Sequence, residues 1–243
     1  MLLIKRPQKR GELLNNSIIG LLGGNEFQQG CENADNKILE ALGKHNPDIV
    51  ILPTANVHHP DIAGNNGVRY FSNLGYNAEN LMITSGKDAN DMKLVQRVEN
   101  CDLLYLTGGN PKYLQQALLA SKLWESILLA SQYGMGIAGS SAGAMVLGGL
   151  LKNPEAQTWG EGLNLIDRLG VIPHHENSNP EEVSKSLMSS VFDQYESSMI
   201  IGISIESGCL IRNNNLEVIG NSPLTLYTND TYIEYETGSK FSL

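Results

Sequence analysis

Several features are scarce or missing in this 243-residue sequence, and each absence excludes a class of protein. The only cysteines, Cys31, Cys101 and Cys209, are odd in number, lie far apart and form no CxxC pair, which excludes a disulfide framework and a cysteine zinc site. No Lys/Arg-rich run occurs, and the formal net charge of −9 argues against a nucleic-acid partner. No apolar run approaches the ~20 residues that cross a bilayer. These absences predict a cytoplasmic protein with no membrane partner.

The amino terminus carries a small basic cluster, Lys5, Arg6, Lys9 and Arg10, without the apolar segment that a secretory signal needs. We therefore expect residues 1–16 to form a solvated extension. The length suffices for one large core, and neither repeats nor low-complexity linkers divide the chain. A single domain over residues 1–243 is the prediction.

Short apolar runs alternate with longer helical patterns through the first two thirds of the chain. Residues 17–22, 48–53 and 101–106 are typical of buried strands, and residues 142–151 are expected to form a helix. The C-terminal third has short strand patterns separated by turns. This rhythm predicts an α/β fold with a mostly parallel sheet, helices on both faces and an antiparallel C-terminal edge.

The most informative motif is Gly139-Ser140-Ser141-Ala142-Gly143, between a glycine-rich strand and a helical run. A nucleophile elbow needs small residues two positions before and after its serine, because the strand-to-helix turn is tight. Ser141 has glycines at both positions, whereas Ser140 would have alanines. The turn also places the Ala142 N–H at a helix N-terminus, where it can stabilise an oxyanion. A tight turn of small residues would have the same sequence, so the motif needs context.

Three longer segments supply that context: GIAGSSAGAMVLGG at residues 136–149, LYLTGGNPKYLQQAL at 104–118 and VIPHH at 171–175. Together they resemble the peptidase E and cyanophycinase family of serine peptidases, over residues 18–219 of this chain. The resemblance implies a fold similar to class I glutamine amidotransferases, with serine in place of the amidotransferase cysteine.

A serine nucleophile needs a general base, and histidine suits this role near neutral pH. Among the five histidines, His174 follows a strand that should end at the same sheet edge as Ser141. The resemblance also matches the family's histidine to His174. His175 is the alternative base, and otherwise a neighbour expected to bind substrate.

The base in turn needs an acidic partner on its second ring nitrogen. Glu206 ends a predicted strand and matches the glutamate of cyanophycinase-like enzymes. Peptidase E is instead assigned an aspartate between the elbow and the histidine. Glu155, Glu161 and Asp167 occupy that segment here and remain the alternatives.

The resemblance places the Gly108-Gly109 turn beside the elbow, which makes the Gly109 N–H the second oxyanion donor and Asn110 a substrate contact. The Gly23-Gly24 turn is not followed by a GxGxxG pattern, so we interpret it as a wall of the cleft. No metal and no organic cofactor is implied.

The resemblance implies hydrolysis of an amide next to an aspartyl residue, in an Asp-X dipeptide or a β-aspartyl-arginine linkage, through an acyl-enzyme. Family members commonly carry an arginine soon after the catalytic histidine, whereas this chain continues with Glu176, Glu181 and Glu182 before its first cation, Lys185. A cationic substrate group therefore remains an alternative. An esterase or a non-catalytic binding protein on this fold is the alternative function, and the oligomeric state, a homodimer included, stays open.

Overall fold

The computed structural model describes residues 17–229 and 231–243, in which helices pack around two β-sheets. The basic cluster and the extension expected at residues 1–16 lie outside the described residues. The larger sheet has eight strands, in the order β14 (Lys240–Ser242), β11 (Asn215–Gly220), β10 (Ser207–Arg212), β1 (Ile18–Leu22), β5 (Gly136–Ser140), β4 (Leu103–Leu106), β2 (Ile49–Leu52) and β3 (Ala78–Asn80).

The centre of this larger sheet is parallel. Strands β1, β5, β4, β2 and β3 pair in parallel with their neighbours, whereas β10, β11 and β14 form the antiparallel edge. The predicted α/β fold with an antiparallel C-terminal edge is confirmed. Because parallel strands end at the same edge of a sheet, the loops after β1, β2, β4 and β5 meet there.

A second sheet of six strands was not expected from the sequence as a separate unit. Its central strands pair in parallel and its outer strands pair antiparallel. The order is β13 (Tyr232–Tyr235), β12 (Leu224–Tyr227), β9 (Met199–Ile203), β8 (Ile166–Pro173), β6 (Gly148–Asn153) and β7 (Thr158–Glu161).

Seven α-helices surround the sheets in the described part of the chain. None of them is long and apolar enough to cross a membrane. They are α1 (Glu32–Ala41), α2 (Pro60–Asn73), α3 (Met92–Glu99), α4 (Pro111–Leu118), α5 (Lys122–Gln132), α6 (Ala142–Leu147) and α7 (Pro180–Leu187).

Side chains alternate between the two faces of the larger sheet, as strand geometry requires. Ile18 and Ile49 pack on one face with residues of α1 and α2. Ile19 and Val50 pack on the other face with α3 to α6 and with buried residues of the second sheet, among them Leu169. Helices thus cover both faces of the larger sheet, and the hydrophobic cluster on its second face continues into the second sheet.

The prediction of a helix over residues 142–151 is wrong for residues 148–151. Helix α6 ends at Leu147, and the chain continues as β6. A Cβ on Gly148 would lie 2.4 Å from the Leu169 carbonyl oxygen, so the glycine allows the chain to approach β8 closely. Two successive glycines, Gly148 and Gly149, weaken the helix at this point, and the residues that follow belong to a strand that pairs with β8.

Candidate active site

Ser141 lies at the sharp turn between β5 and α6. Its backbone has φ 49° and ψ −110°, a conformation that non-glycine residues rarely adopt. Both flanking glycines are needed for the turn. A Cβ on Gly139 would lie 2.4 Å from the Gly143 carbonyl carbon, and one on Gly143 would lie 2.3 Å from the Leu106 carbonyl oxygen. The backbone has the strained geometry expected of an elbow.

The Ser141 hydroxyl contacts the imidazole of His174. Their Oγ and Nε2 atoms are 2.7 Å apart, which is hydrogen-bond distance. His174 directly follows β8 of the second sheet and has a positive φ of 151°, so serine and histidine come from different sheets. A base within this distance can take the hydroxyl proton.

The Gly23-Gly24 turn after β1 lies against the histidine. A Cβ on Gly24 would lie 2.2 Å from Cε1 and 2.7 Å from Nδ1 of His174. Gly24 itself has a φ of 135°, which favours glycine. The turn therefore contacts the ring directly on the side of the larger sheet.

Glu206 lies in the crossing from β9 to β10 and approaches the same turn. Its N–H donates to the Gly24 carbonyl oxygen at 3.5 Å, and its Oε1 accepts a hydrogen bond from Asn25 Nδ2 at 3.2 Å. A Cβ on Gly30 would lie 2.4 Å from its Oε2. Within the described residues, no hydrogen bond joins Glu206 to His174.

The three alternative acids lie on the second sheet. Glu155 is in the turn between β6 and β7, and Glu161 ends β7. Asp167 is exposed, 3.8 Å from Arg168, at the start of β8. Since β8 spans eight residues, Asp167 lies roughly 20 Å from the end that carries the histidine.

The Gly108-Gly109 turn follows β4 at the same sheet edge. Gly109 has a φ of 140°, and a Cβ on it would lie 2.2 Å from the Ala55 carbonyl oxygen. Asn110 donates its N–H to the same oxygen at 2.7 Å, and its side chain caps α4 by accepting the Tyr113 N–H at 3.0 Å. Among the described residues, neither the Gly109 N–H nor the Ala142 N–H has a protein acceptor.

Sequence reasoning missed Glu26, which joins this turn to the elbow. Its Oε1 accepts the Gly108 N–H at 2.7 Å, and its Oε2 accepts the hydroxyl of Ser140 at 2.9 Å. No motif marks the residue, although it directly follows the Gly-Gly-Asn turn after β1. Residues 24–26 thus contact the histidine, Glu206, the glycine turn and the elbow.

His175 is buried rather than open to the cleft. Its Nε2 lies 2.6 Å from the Tyr227 hydroxyl, and its Nδ1 has no partner among the described residues. Burial lowers its pKa, which the nearby Glu176 partly opposes. The geometry supports a packing role, and the substrate contact suggested for His175 stays a prediction.

A buried acid lies behind the cleft on α1. Burial raises the pKa of Asp35 to about 7, although the Tyr70 hydroxyl donates a 2.8 Å hydrogen bond to its Oδ2. Its Oδ1 has no partner among the described residues. Nor does the described part of the chain contain a group of His, Cys, Asp and Glu suited to a metal ion.

The chain is similar to known proteins in sequence and in fold. Peptidase family S51 matches residues 13–219 of the chain. No curated protein matches. A peptidase from an acI-B1 actinobacterium superimposes with a TM-score of 0.81 at 24% identity, over 95% of this chain and 98% of the other. A provisionally assigned peptidase E protein from Listeria monocytogenes EGD-e gives a TM-score of 0.55 at 19% identity, over 91% and 99%.

The two solved structures share the fold, and the family match covers most of the sequence, including the elbow and the segment that carries His174. The chain belongs to peptidase family S51 and is a serine-type peptidase.

Proposed function

We propose that this peptidase hydrolyses the amide of a small aspartyl substrate, either an Asp-X dipeptide or a β-aspartyl linkage. Ser141 is the nucleophile and His174 is the general base. The observation that carries the assignment is the 2.7 Å separation between Ser141 Oγ and His174 Nε2 at a strained elbow. Such a pair is the minimal arrangement for acyl transfer through serine.

The reaction follows from this arrangement. Ser141 Oγ attacks the substrate carbonyl carbon while its proton passes to His174 Nε2. The carbonyl oxygen becomes an oxyanion, which accepts hydrogen bonds from the Gly109 and Ala142 N–H groups. When the C–N bond breaks, His174 donates the proton to the leaving amine. Water, deprotonated by the same histidine, then hydrolyses the acyl-enzyme ester.

Glu206 is our choice for the acid that assists the histidine. It is supported by Gly24, which contacts the His174 ring through its Cα and accepts the Glu206 N–H through its carbonyl. Asn25 then orients the carboxylate. Glu206→Gln should lower kcat by at least about 10-fold, whereas Asp167→Asn, at the opposite end of β8 from His174, should leave it unchanged. Equal rates for both variants would contradict the assignment.

The acids that follow His174 do not by themselves call for a cationic substrate group. Two of the three acids that follow His174 already have partners. Glu176 Oε2 accepts the Ile205 N–H at 3.2 Å, and Glu181 pairs with Lys185 at 2.7 Å. Glu176 thus already accepts a backbone N–H and Glu181 already has a cationic neighbour, so neither carboxylate requires a substrate cation as its partner.

Donors for a substrate carboxylate are available on the loop after β2. His58 and His59 are exposed there, and the Ala55 carbonyl oxygen of this loop contacts Gly109 and Asn110. Imidazole N–H groups can donate to a carboxylate. In our proposal, these histidines therefore take the place of the arginine that family members commonly carry soon after the catalytic histidine.

Nucleophile and base are tested with a fluorophosphonate probe, which phosphonylates an activated serine. Wild type should be labelled, and Ser141→Ala and His174→Ala should not be. His45→Ala is the matched control, because His45 lies in the exposed loop before β2, at the opposite sheet edge. Labelling that persists in Ser141→Ala would show that another residue is the nucleophile.

Substrate class is tested with Asp-X dipeptides, β-Asp-Arg, and neutral and basic dipeptides. We expect kcat/KM for the aspartyl compounds to exceed the others by at least about 10-fold, because polar recognition discriminates strongly. His58→Ala and His59→Ala should reduce that preference, and His45→Ala should not. Equal rates across the panel would refute recognition by charge.

We also propose that the protein works in a reducing compartment such as the cytoplasm. Its three cysteines are free and buried. Burial raises the pKa of Cys31 and of Cys101 to about 12, which keeps both thiols protonated and unreactive.

A further inference from the structure

The Glu26 carboxylate bridges two parts of the active site that are distant in sequence. One oxygen accepts the Gly108 N–H of the glycine turn at 2.7 Å, and the other accepts the Ser140 hydroxyl of the elbow at 2.9 Å. Ser140 is completely buried. Its hydroxyl has no other bond among the described residues, so its orientation depends on this carboxylate.

The turn that Glu26 contacts is intrinsically easy to rearrange. Two successive glycines lack the Cβ atoms that restrict backbone rotation, so the peptide between them can rotate at little steric cost. Such a rotation would direct the Gly109 N–H away from the cleft. A hydrogen bond to the preceding N–H, that of Gly108, opposes it by fixing the plane of the neighbouring peptide.

The second contact sets where the turn lies relative to the nucleophile. Ser140 immediately precedes Ser141, so the carboxylate ties the glycine turn to the residue next to the attacking oxygen. The hydrogen bond to Ser140 joins the loop after β1 to the end of β5, and the hydrogen bond to Gly108 joins the same loop to the end of β4. Three adjacent strands are thereby held in one arrangement at the edge where the chemistry occurs.

We propose that Glu26 is a positioning residue, which holds the Gly109 N–H in line with Ser141 so that it can stabilise the oxyanion. This inference rests on the proposed roles of Ser141 and Gly109. Glu26 contacts neither the nucleophilic oxygen nor the base, and it acts through the two groups that it bridges. Its reach across the gap, rather than its charge, is what the role requires.

Two conservative variants separate reach from charge. Glu26→Gln keeps the length, and its amide can accept the Gly108 N–H and donate to the Ser140 oxygen. Glu26→Asp keeps the charge but is one methylene shorter, so it cannot span both partners. We expect kcat of the glutamine variant to stay within about 5-fold of wild type, and that of the aspartate variant to fall by about 10- to 100-fold. Losing a whole oxyanion donor costs about 10² to 10³.

The measurement is kcat and KM on the best dipeptide of the substrate panel, with the second-order rate of fluorophosphonate labelling. A displaced oxyanion donor lowers kcat and kcat/KM equally and leaves KM unchanged. Labelling should slow in parallel, because the phosphonyl oxygen occupies the oxyanion position. Asp102→Ala is the matched control, since Asp102 Oδ2 accepts the Asp48 N–H at 2.8 Å at the opposite sheet edge. It should lower the thermal midpoint without changing kcat.

The outcomes distinguish this inference from the proposed function. If wild type is not labelled, or if Ser141→Ala still is, the proposed function itself fails. If Ser141 is the labelled residue and the aspartate variant keeps wild-type kcat, only the role of Glu26 is overturned. Full activity in the aspartate variant with loss in the glutamine variant would also overturn it, by making charge the property that matters.

Discussion

Replacing Gly24 by alanine should separate His174 from Ser141 without removing a functional group from either. The new Cβ would lie 2.2 Å from Cε1 of the imidazole, whereas ordinary contact begins at 3.4 Å. Relieving the overlap moves the ring by about 1.2 Å. A hydrogen bond that is 2.7 Å long in the wild type cannot survive such a shift along its own direction.

The size of the effect follows from this displacement. A misplacement of about 1 Å in a catalytic group can cost about 100-fold in rate, which corresponds to about 2.7 kcal/mol in the barrier. The φ of 135° adds backbone strain on the order of 1–3 kcal/mol to the folded state. Gly24→Ala should therefore lose both activity and some stability.

Kinetics on a dipeptide, the labelling rate with fluorophosphonate and thermal unfolding measure these effects separately. Gly134→Ala is the matched control, because Gly134 has a φ of 100° but a Cβ added to it would meet no atom within 4 Å. The control should lose stability and keep its activity. Wild-type kcat in Gly24→Ala would refute the conclusion that the glycine turn sets the position of His174.

Three further variants test other parts of the structure. Asp35→Asn should flatten the pH dependence of stability, because the folded acid has a pKa of about 7 against an ordinary 3.8. Wild type therefore loses free energy of unfolding, on the order of 4 kcal/mol at most, as pH rises from about 4 to about 7, and urea unfolding of both proteins across that range measures the difference. Gly143→Ala brings a Cβ within 2.3 Å of the Leu106 carbonyl oxygen and should abolish labelling with a lowered thermal midpoint; an active, stable variant would contradict the packing. Tyr227→Phe leaves the buried His175 Nε2 unpaired and should cost about 1–3 kcal/mol in urea unfolding with kcat within about 3-fold, whereas a large rise in KM would favour a substrate role.

The parallel centre of the fold was predictable because its signals are local. The apolar runs at residues 48–53 and 101–106 correspond to β2 and β4. Since both strands were expected to be parallel, the turns that follow them were expected at the same edge of the sheet. Helix α7 was also marked in the sequence, by Asn179-Pro180, although it was not predicted. Asn179 accepts the N–H groups of Glu181 and Glu182, as an N-cap should.

The second sheet could not be found in this way, because its strands are defined by partners far along the chain. The predicted helix ran on into the residues of β6, which are a strand because they pair with β8. The same limit applies to Glu26. Its partners are 82 and 114 residues away, so nothing near it in the sequence reveals the contacts.

The glycines of the motif, by contrast, indicate Ser141 as the proposed nucleophile from the sequence alone, and the position after a strand indicates His174 as the proposed base. The structure places their Oγ and Nε2 atoms 2.7 Å apart, and the two roles stay a proposal. The acid was harder to select from the sequence, because carboxylates are common on strand ends and only the folded chain shows which of them approach the Gly24 turn.

The origin of Ser141 and His174 on separate sheets also has a consequence for how the protein is made. The elbow follows β5, whereas the histidine follows β8, and β1 gains its second neighbour, β10, only after both have been synthesised. A nascent or truncated chain that ends before residue 174 carries Ser141 without the histidine that we propose as its base. On the proposed assignment, we therefore expect a chain truncated before residue 174 to lack peptidase activity, even though it carries the complete elbow.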